Sequence, residues 1–131
     1  MAYFILIVNR YPTVLAKARA ELNAKLPGLA RGAMSVPTMD DLAQLTYLEA
    51  AIRENLRLNP ALGIGSRRAN ADTVLSDGTP IANTRFVLCT YALGHFKAAW
   101  GEDALEFKPE RWIDSETGKL LPQPPFKFMP F

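Results

Sequence analysis

A chain of 131 residues, 49% hydrophobic and 21% charged, has the balance of a folded globular protein with one modest core. Its net charge of +2, with no block of like charge, gives no electrostatic footprint for nucleic acid or an anionic membrane surface. A single cysteine, Cys89, excludes an internal disulfide and suits a reducing, intracellular compartment; with a single histidine, His95, it also excludes a structural zinc site.

The opening MAYFILIV is apolar but lacks a basic flank and a small-residue cleavage site, so it does not read as a signal peptide. It is also too short to span a bilayer as a helix. The expectation is the end of a buried helix, continuing through Ala2–Arg10, and hence a chain that is a piece of something longer. Pro12 marks a break and suits the first turn of a second helix. Val14, Leu15, Ala18, Leu22 and Leu26 recur at helical spacing through Thr13–Leu26, and Pro27 with Gly28 ends the run. After a loop over Leu29–Pro37, Thr38 opens a short helical piece whose Asp40 and Asp41 complement a helix N-terminus.

Leu48–Pro60 predicts the central amphipathic helix. Leu48, Ala51, Ile52, Leu56 and Leu58 give it a broad apolar surface, and Pro60 stops it. Glu54 and Arg57 leave the same face three residues apart. An exposed pair at that spacing is common and weak. On a helix packed around most of its circumference, the pair needs further partners to offset desolvation, and the planar fork of Arg57 can hold more than one acceptor.

Beyond Pro60 the texture changes. Ala61–Ser66 is a small-residue linker; its Gly63-x-Gly65 has no preceding strand and no following helix, so it is not a dinucleotide fingerprint. Asp72–Leu75, Thr79–Ile81 and Arg85–Tyr91 read as short strands separated by Ser76-Asp77-Gly78 and Asn83-Thr84 turns. Cys89, inside the apolar run Phe86–Leu93, reads as a small buried hydrophobe. Phe96–Trp100 and Glu102–Leu105 look like single helical turns. From Phe107 onward, prolines at 109, 122, 124, 125 and 130 forbid long regular structure. That tail is expected to be a coil held by Phe107, Trp112, Phe126, Phe128 and Phe131. The fold class expected is mainly α with small β-sheets: helices over about 1–59, strands over about 62–91 and a proline-rich meander over about 107–131, in one partial domain.

Four features now stand in fixed order. They are Glu54-Asn-Leu-Arg57-Leu-Asn-Pro60; Arg67 followed by Asp72-Thr-Val-Leu75; Trp100-Gly-Glu-Asp-Ala-Leu-Glu-Phe107-Lys-Pro109-Glu110-Arg111-Trp112; and Phe126-Lys-Phe128-Met-Pro130-Phe131. This order closely resembles the cytochrome P450 superfamily of haem-thiolate monooxygenases, from about Phe4 to Phe131. The wording from Trp100 to Trp112 looks most like the eukaryotic branch that oxidises fatty acids and alkanes.

The resemblance implies that Glu54, Arg57 and Arg111 form a buried structural triad, a partner set of the kind the central helix needs. It implies that Arg67 binds a haem propionate by a charge-assisted contact and that Phe131 is the first residue of the haem-binding signature. Ala61, Leu62, Gly63, Ile64 and Gly65 would line the substrate pocket. The implied cofactor is haem, and the implied partners are a small apolar organic substrate and an NADPH-dependent reductase. A eukaryotic full-length member would sit at the endoplasmic reticulum membrane.

In the family, the iron-ligating cysteine follows shortly after the phenylalanine that Phe131 matches, and an Ala-Gly-x-Asp/Glu-Thr segment precedes the first helix. Neither lies within these 131 residues, and Cys89 is in the wrong place to substitute. A thiolate ligand drives O–O cleavage in these enzymes. The expectation is therefore a fragment that is inactive alone, with no catalytic residue or metal ligand of its own. It would bind haem poorly, give no thiolate-type carbon monoxide difference spectrum, and expose apolar surface prone to aggregation. The alternative is a non-catalytic remnant or interaction module that keeps part of the scaffold.

Overall fold

The computed structural model describes residues 2–33, 36–124 and 126–129. They form a mainly helical chain with two small antiparallel sheets, divided into two compact units. The first comprises Met1–Leu56 and Glu106–Pro124, the second Arg57–Leu105 and Pro125–Phe131.

In the first unit, α1 (Ala2–Asn9) and α2 (Pro12–Lys25) pack together, with Pro12 at the start of α2, where its missing N–H costs nothing. The four-residue α3 (Pro27–Ala30) also opens on proline. Val8, Val14, Ala18, Leu26, Leu45, Ala50 and Ala51 are buried, and the Tyr11 and Phe107 rings stack with centroids 4.9 Å apart. Tyr3, Ile5 and Leu6 of α1 remain exposed. No helix among the described residues is long and apolar enough to cross a membrane.

The short α4 (Met39–Ala43) is held by a capping box. The Thr38 hydroxyl accepts from the Asp41 amide, and the Asp41 carboxylate accepts from the Thr38 amide and hydroxyl. These bonds hold the Asp41 carboxyl below its ordinary range.

The central helix, α5, runs Thr46–Leu58, so it starts two residues before the expected span and ends two before Pro60. Its free N-terminal amides are satisfied from another helix. The Glu21 carboxylate of α2 accepts from the Tyr47 amide at 2.8 Å and the Leu48 amide at 2.9 Å. Glu21→Ala should cost about 1–2 kcal/mol, read as a lowered urea midpoint with an unchanged slope. Glu21→Gln, which keeps one acceptor, should cost less.

In the second unit, β1 (Gly65–Arg68) pairs antiparallel with β4 (Arg85–Leu88), placing Arg67 opposite Phe86 and Gly65 opposite Leu88. β2 (Thr73–Val74) and β3 (Pro80–Ile81) form a separate hairpin. Its turn needs Gly78 at φ 88° and is closed by Asp77 accepting from the Thr79 amide.

The strand expected over Arg85–Tyr91 stops at Leu88. Cys89 instead caps α6 (Thr90–His95), its sulfur accepting from the Ala92 amide at 3.4 Å, and it is exposed rather than buried. α7 (Lys97–Trp100) follows, and Glu102–Leu105 forms turns instead of a helix. The aromatic tail is also only partly packed. Phe107 and Trp112 are buried in the first unit, but Phe126 of the second is 82% exposed.

Candidate functional site

The first unit contains a carboxylate that is fully buried, Glu54. Pro109 opens a 3₁₀ turn over Pro109–Trp112, and this turn with Lys108 just before it presents three donors to the carboxylate. Glu54 Oε1 accepts from the Lys108 amide and from Arg111 Nε, each at 2.9 Å, and Oε2 accepts from the Trp112 indole N–H at 2.8 Å. A buried charge is tolerable only when hydrogen-bonded and paired, and both oxygens meet that condition here. Of the residues expected to converge, Glu54 and Arg111 meet directly.

Trp112 was expected only to pack, yet it is fully buried and supplies one of the donors. The signal was available, because a buried indole N–H needs an acceptor. The Lys108 amide, a backbone group, left no trace in the residue types.

Glu110, between Pro109 and Arg111, points the other way. Its Oε1 accepts from Lys17 Nζ of α2 at 2.6 Å and from the Tyr47 hydroxyl of α5 at 3.0 Å. Burial raises the Glu110 carboxyl, but the bonds from Lys17, its own backbone and Tyr47 outweigh that and leave it below its ordinary value. Burial and the same carboxylate push the Tyr47 phenol up. Since the folded Glu110 value lies below the unfolded one, its stabilisation is complete above the ordinary carboxylate pKa. It is lost as pH falls through the lowered value, because the unfolded chain binds the proton first. The stability gap between wild type and Glu110→Gln, measured by urea unfolding, should therefore narrow from pH 7 to about pH 3.

In the second unit, Arg57 is 2% exposed. Its Nη1 donates to the carbonyls of Gly94 at 2.5 Å and Ala104 at 2.6 Å, and its guanidinium lies over the Trp100 ring, 5.1 Å from the centroid. Gly94 permits this approach: a Cβ there would sit 2.0 Å from the Arg57 carbonyl oxygen. Neither contact was anticipated. His95 Nδ1 lies 2.7 Å from the Tyr91 carbonyl, a contact that needs a proton on Nδ1.

Arg67 lies exposed on β1 beside an open cleft of about 250 Å³, walled by Leu62, Phe86, Leu88, Thr90 and Met129. Of the expected pocket residues, Leu62 and Gly65 line this cleft; Ala61, Leu62 and Ile64 are exposed, and Gly63 and Gly65 are half-buried. The loop is tied to α6, with Thr90 Oγ1 donating to the Leu62 carbonyl and the Tyr91 amide to the Gly63 carbonyl at 3.1 Å. Phe131 lies outside the described residues.

The cytochrome P450 family model matches residues 1–131. The chain is 40% identical over 132 residues to alkane hydroxylase MAH1 of Arabidopsis thaliana, covering 100% of this chain and 24% of that protein. It is 38% identical over 130 residues to cytochrome P450 94C1 of the same plant, covering 98% and 26% respectively. It is 35% identical over 134 residues to cytochrome P450 CYP94D108 of Paris polyphylla, covering 100% and 26%. The chain thus spans about a quarter of the length of the curated relatives it matches. With the family model spanning residues 1–131 and the four motifs standing in the family's order within it, the chain belongs to the cytochrome P450 family.

Proposed function

We propose that this chain builds the bracing scaffold and part of the cofactor and substrate pocket of a haem-dependent monooxygenase that acts on an apolar organic substrate. The observation that carries the reading is the buried Glu54 carboxylate. It fixes the Pro109–Trp112 turn through three donors, at the place where the family motif puts its bracing arginine.

The Arg67 cleft fits the cofactor in chemical terms. A porphyrin offers an apolar disc with anionic propionates, and the cleft offers the apolar side chains of Leu62, Phe86, Leu88 and Met129 beside one guanidinium. Arg67 would hold a propionate, and Leu62 and Ile64 would exclude water from the substrate side. When bound, the haem iron supplies dioxygen activation for inserting one oxygen atom into a C–H bond, with electrons from an NADPH-dependent reductase. An alkane substrate is favoured by the likeness to alkane hydroxylase MAH1, and a fatty acid by the wording from Trp100 to Trp112.

The test uses the protein encoded by the complete transcript, expressed with a reductase and supplied with NADPH and a long-chain alkane or fatty acid. Hydroxylated product and a thiolate-type carbon monoxide spectrum are expected. Arg67→Glu should weaken haem uptake about tenfold or more by placing a carboxylate against the propionate. A product that takes up no haem and oxidises neither substrate would overturn the proposal and favour a non-catalytic module.

A further inference from the structure

The second unit holds a contact that the family reading does not use. Trp100, the last residue of α7, is 7% exposed, and its indole N–H donates to the Leu93 carbonyl at 3.0 Å. That bond fixes the orientation of the ring. Besides the Arg57 guanidinium, a second cation lies over the indole: Lys127 Nζ, 4.6 Å from the ring centroid.

The segment that carries Lys127 contains no helix or strand among its described residues, and Phe126 beside it faces solvent. Among the described residues, the indole is the charge-compensating contact that Lys127 makes, since no carboxylate lies within ion-pair reach of it. Two residues further on, Met129 lines the cleft beside Arg67, and it also lines an adjoining apolar groove together with Phe126 and Cys89.

We infer that Lys127 and Trp100 form a latch, an ammonium on an indole face, that positions Met129 as a wall of the Arg67 cleft. A cation over an indole is attracted by the ring quadrupole, and partial burial strengthens the attraction. The rigid side of the latch is the indole, held by the Leu93 carbonyl and stacked on Arg57, which itself bonds to two carbonyls. The adjustable side is the short segment from Phe126 to Met129. Lys127 and Trp100 are positioning residues; they act on the cleft through Met129. The consequence for haem rests on the function proposed above, whereas the latch itself does not.

The test compares Lys127→Met, Lys127→Arg and Trp100→Phe in the 131-residue chain. Cutting by chymotrypsin after Phe126 and Phe128 reports release of the segment. It should accelerate about tenfold in Lys127→Met and return close to the wild-type rate in Lys127→Arg, which keeps the cation. The urea midpoint should be the same in all the lysine variants, which separates a local latch from general destabilisation. If Trp100→Phe folds, adding it to Lys127→Met should give no further acceleration, because the cation through which the ring acts on the segment is already gone. If it does not fold, the two lysine variants decide alone. Equal cutting of Lys127→Met and wild type overturns the latch, as does a Lys127→Arg that cuts like Lys127→Met.

A parallel titration with ferric haem, read in the Soret region on the same variants of the protein encoded by the complete transcript, keeps the two proposals apart. Lys127→Met should bind several-fold more weakly than the protein with Lys127 intact. Accelerated cutting with haem affinity unchanged would retain the contact but overturn its role at the cleft. Accelerated cutting with no haem binding by any form of the protein would count against the function proposed above.

Discussion

Replacing Glu54 with alanine should destabilise the 131-residue chain by about 3–5 kcal/mol, because a buried partnership loses its acceptor and keeps its donors. The Lys108 amide, Arg111 Nε and the Trp112 indole N–H would all lose the oxygen they donate to. Arg111 is only 11% exposed at its side chain, so bulk solvent does not reach the vacated place, and a water trapped there would carry no charge to pair with the guanidinium. A domain of this size is stable by roughly 5–15 kcal/mol, so the variant should be largely unfolded well before the wild-type midpoint in urea.

Glu54→Gln separates charge from shape. The amide fills the same volume, but its NH₂ group must face one of the donors, and it carries no charge for Arg111. Its cost should fall between wild type and Glu54→Ala, about 2 kcal/mol. Arg111→Lys should lose the Nε bond while keeping a positive charge, and so cost less than Glu54→Ala. A Glu54→Ala protein whose midpoint matches the wild type would show that the turn is held by apolar packing of Trp112 and Phe107 alone.

How far these features can be read from the chain depends on where their cause lies. The helical periods of Thr13–Leu26 and Leu48–Leu58 are local, and so are the proline stops and the short helix that Thr38 opens with Asp40 and Asp41 at its start; all of these appear in the structure within a few residues. β1 did not show itself by pattern, because Gly65-Ser-Arg-Arg68 has no apolar alternation and three of its four residues are exposed. Its strand character comes from β4 alongside it.

α6 was hidden for the opposite reason. Its residues follow a β-branched and aromatic run, and the end of that strand is set by a cysteine acting as a helix cap, a role few sequences advertise. Glu54 could be seen to need partners, but their identity lies more than fifty residues away. Nothing in the residues short of the family resemblance names Arg111, and the resemblance did not name Trp112. Lys17 with Glu110, and Lys127 with Trp100, are contacts between distant segments with no local signature at either end.

Gly94→Ala gives the second large effect, and it opposes what helix propensity alone would forecast. Gly94 lies within α6, where alanine is ordinarily better than glycine by about 1 kcal/mol. The added methyl, however, would stand 2.0 Å from the carbonyl oxygen of Arg57 and 3.0 Å from its carbonyl carbon. Both are backbone atoms, so no side-chain rotation relieves the overlap; one backbone must move away from the other. Such a shift pulls the Gly94 carbonyl from the Arg57 guanidinium, which is almost fully buried. Overpacking and a weakened bond to a buried charge together should cost about 3 kcal/mol, several times the propensity gain and opposite in sign.

Gly63→Ala is the matched control in the same unit. Its Cβ would meet only the Tyr91 Cβ, at 3.7 Å, an ordinary contact, and its midpoint should move by less than about 0.5 kcal/mol. The near-ultraviolet circular dichroism of Gly94→Ala should also lose intensity in the tryptophan bands, because the Arg57 guanidinium that moves is the one lying over Trp100. A Gly94→Ala protein as stable as wild type, with those bands intact, would mean that the close approach of α6 to the Arg57 carbonyl is not required. In that case the glycine would be there for no steric reason.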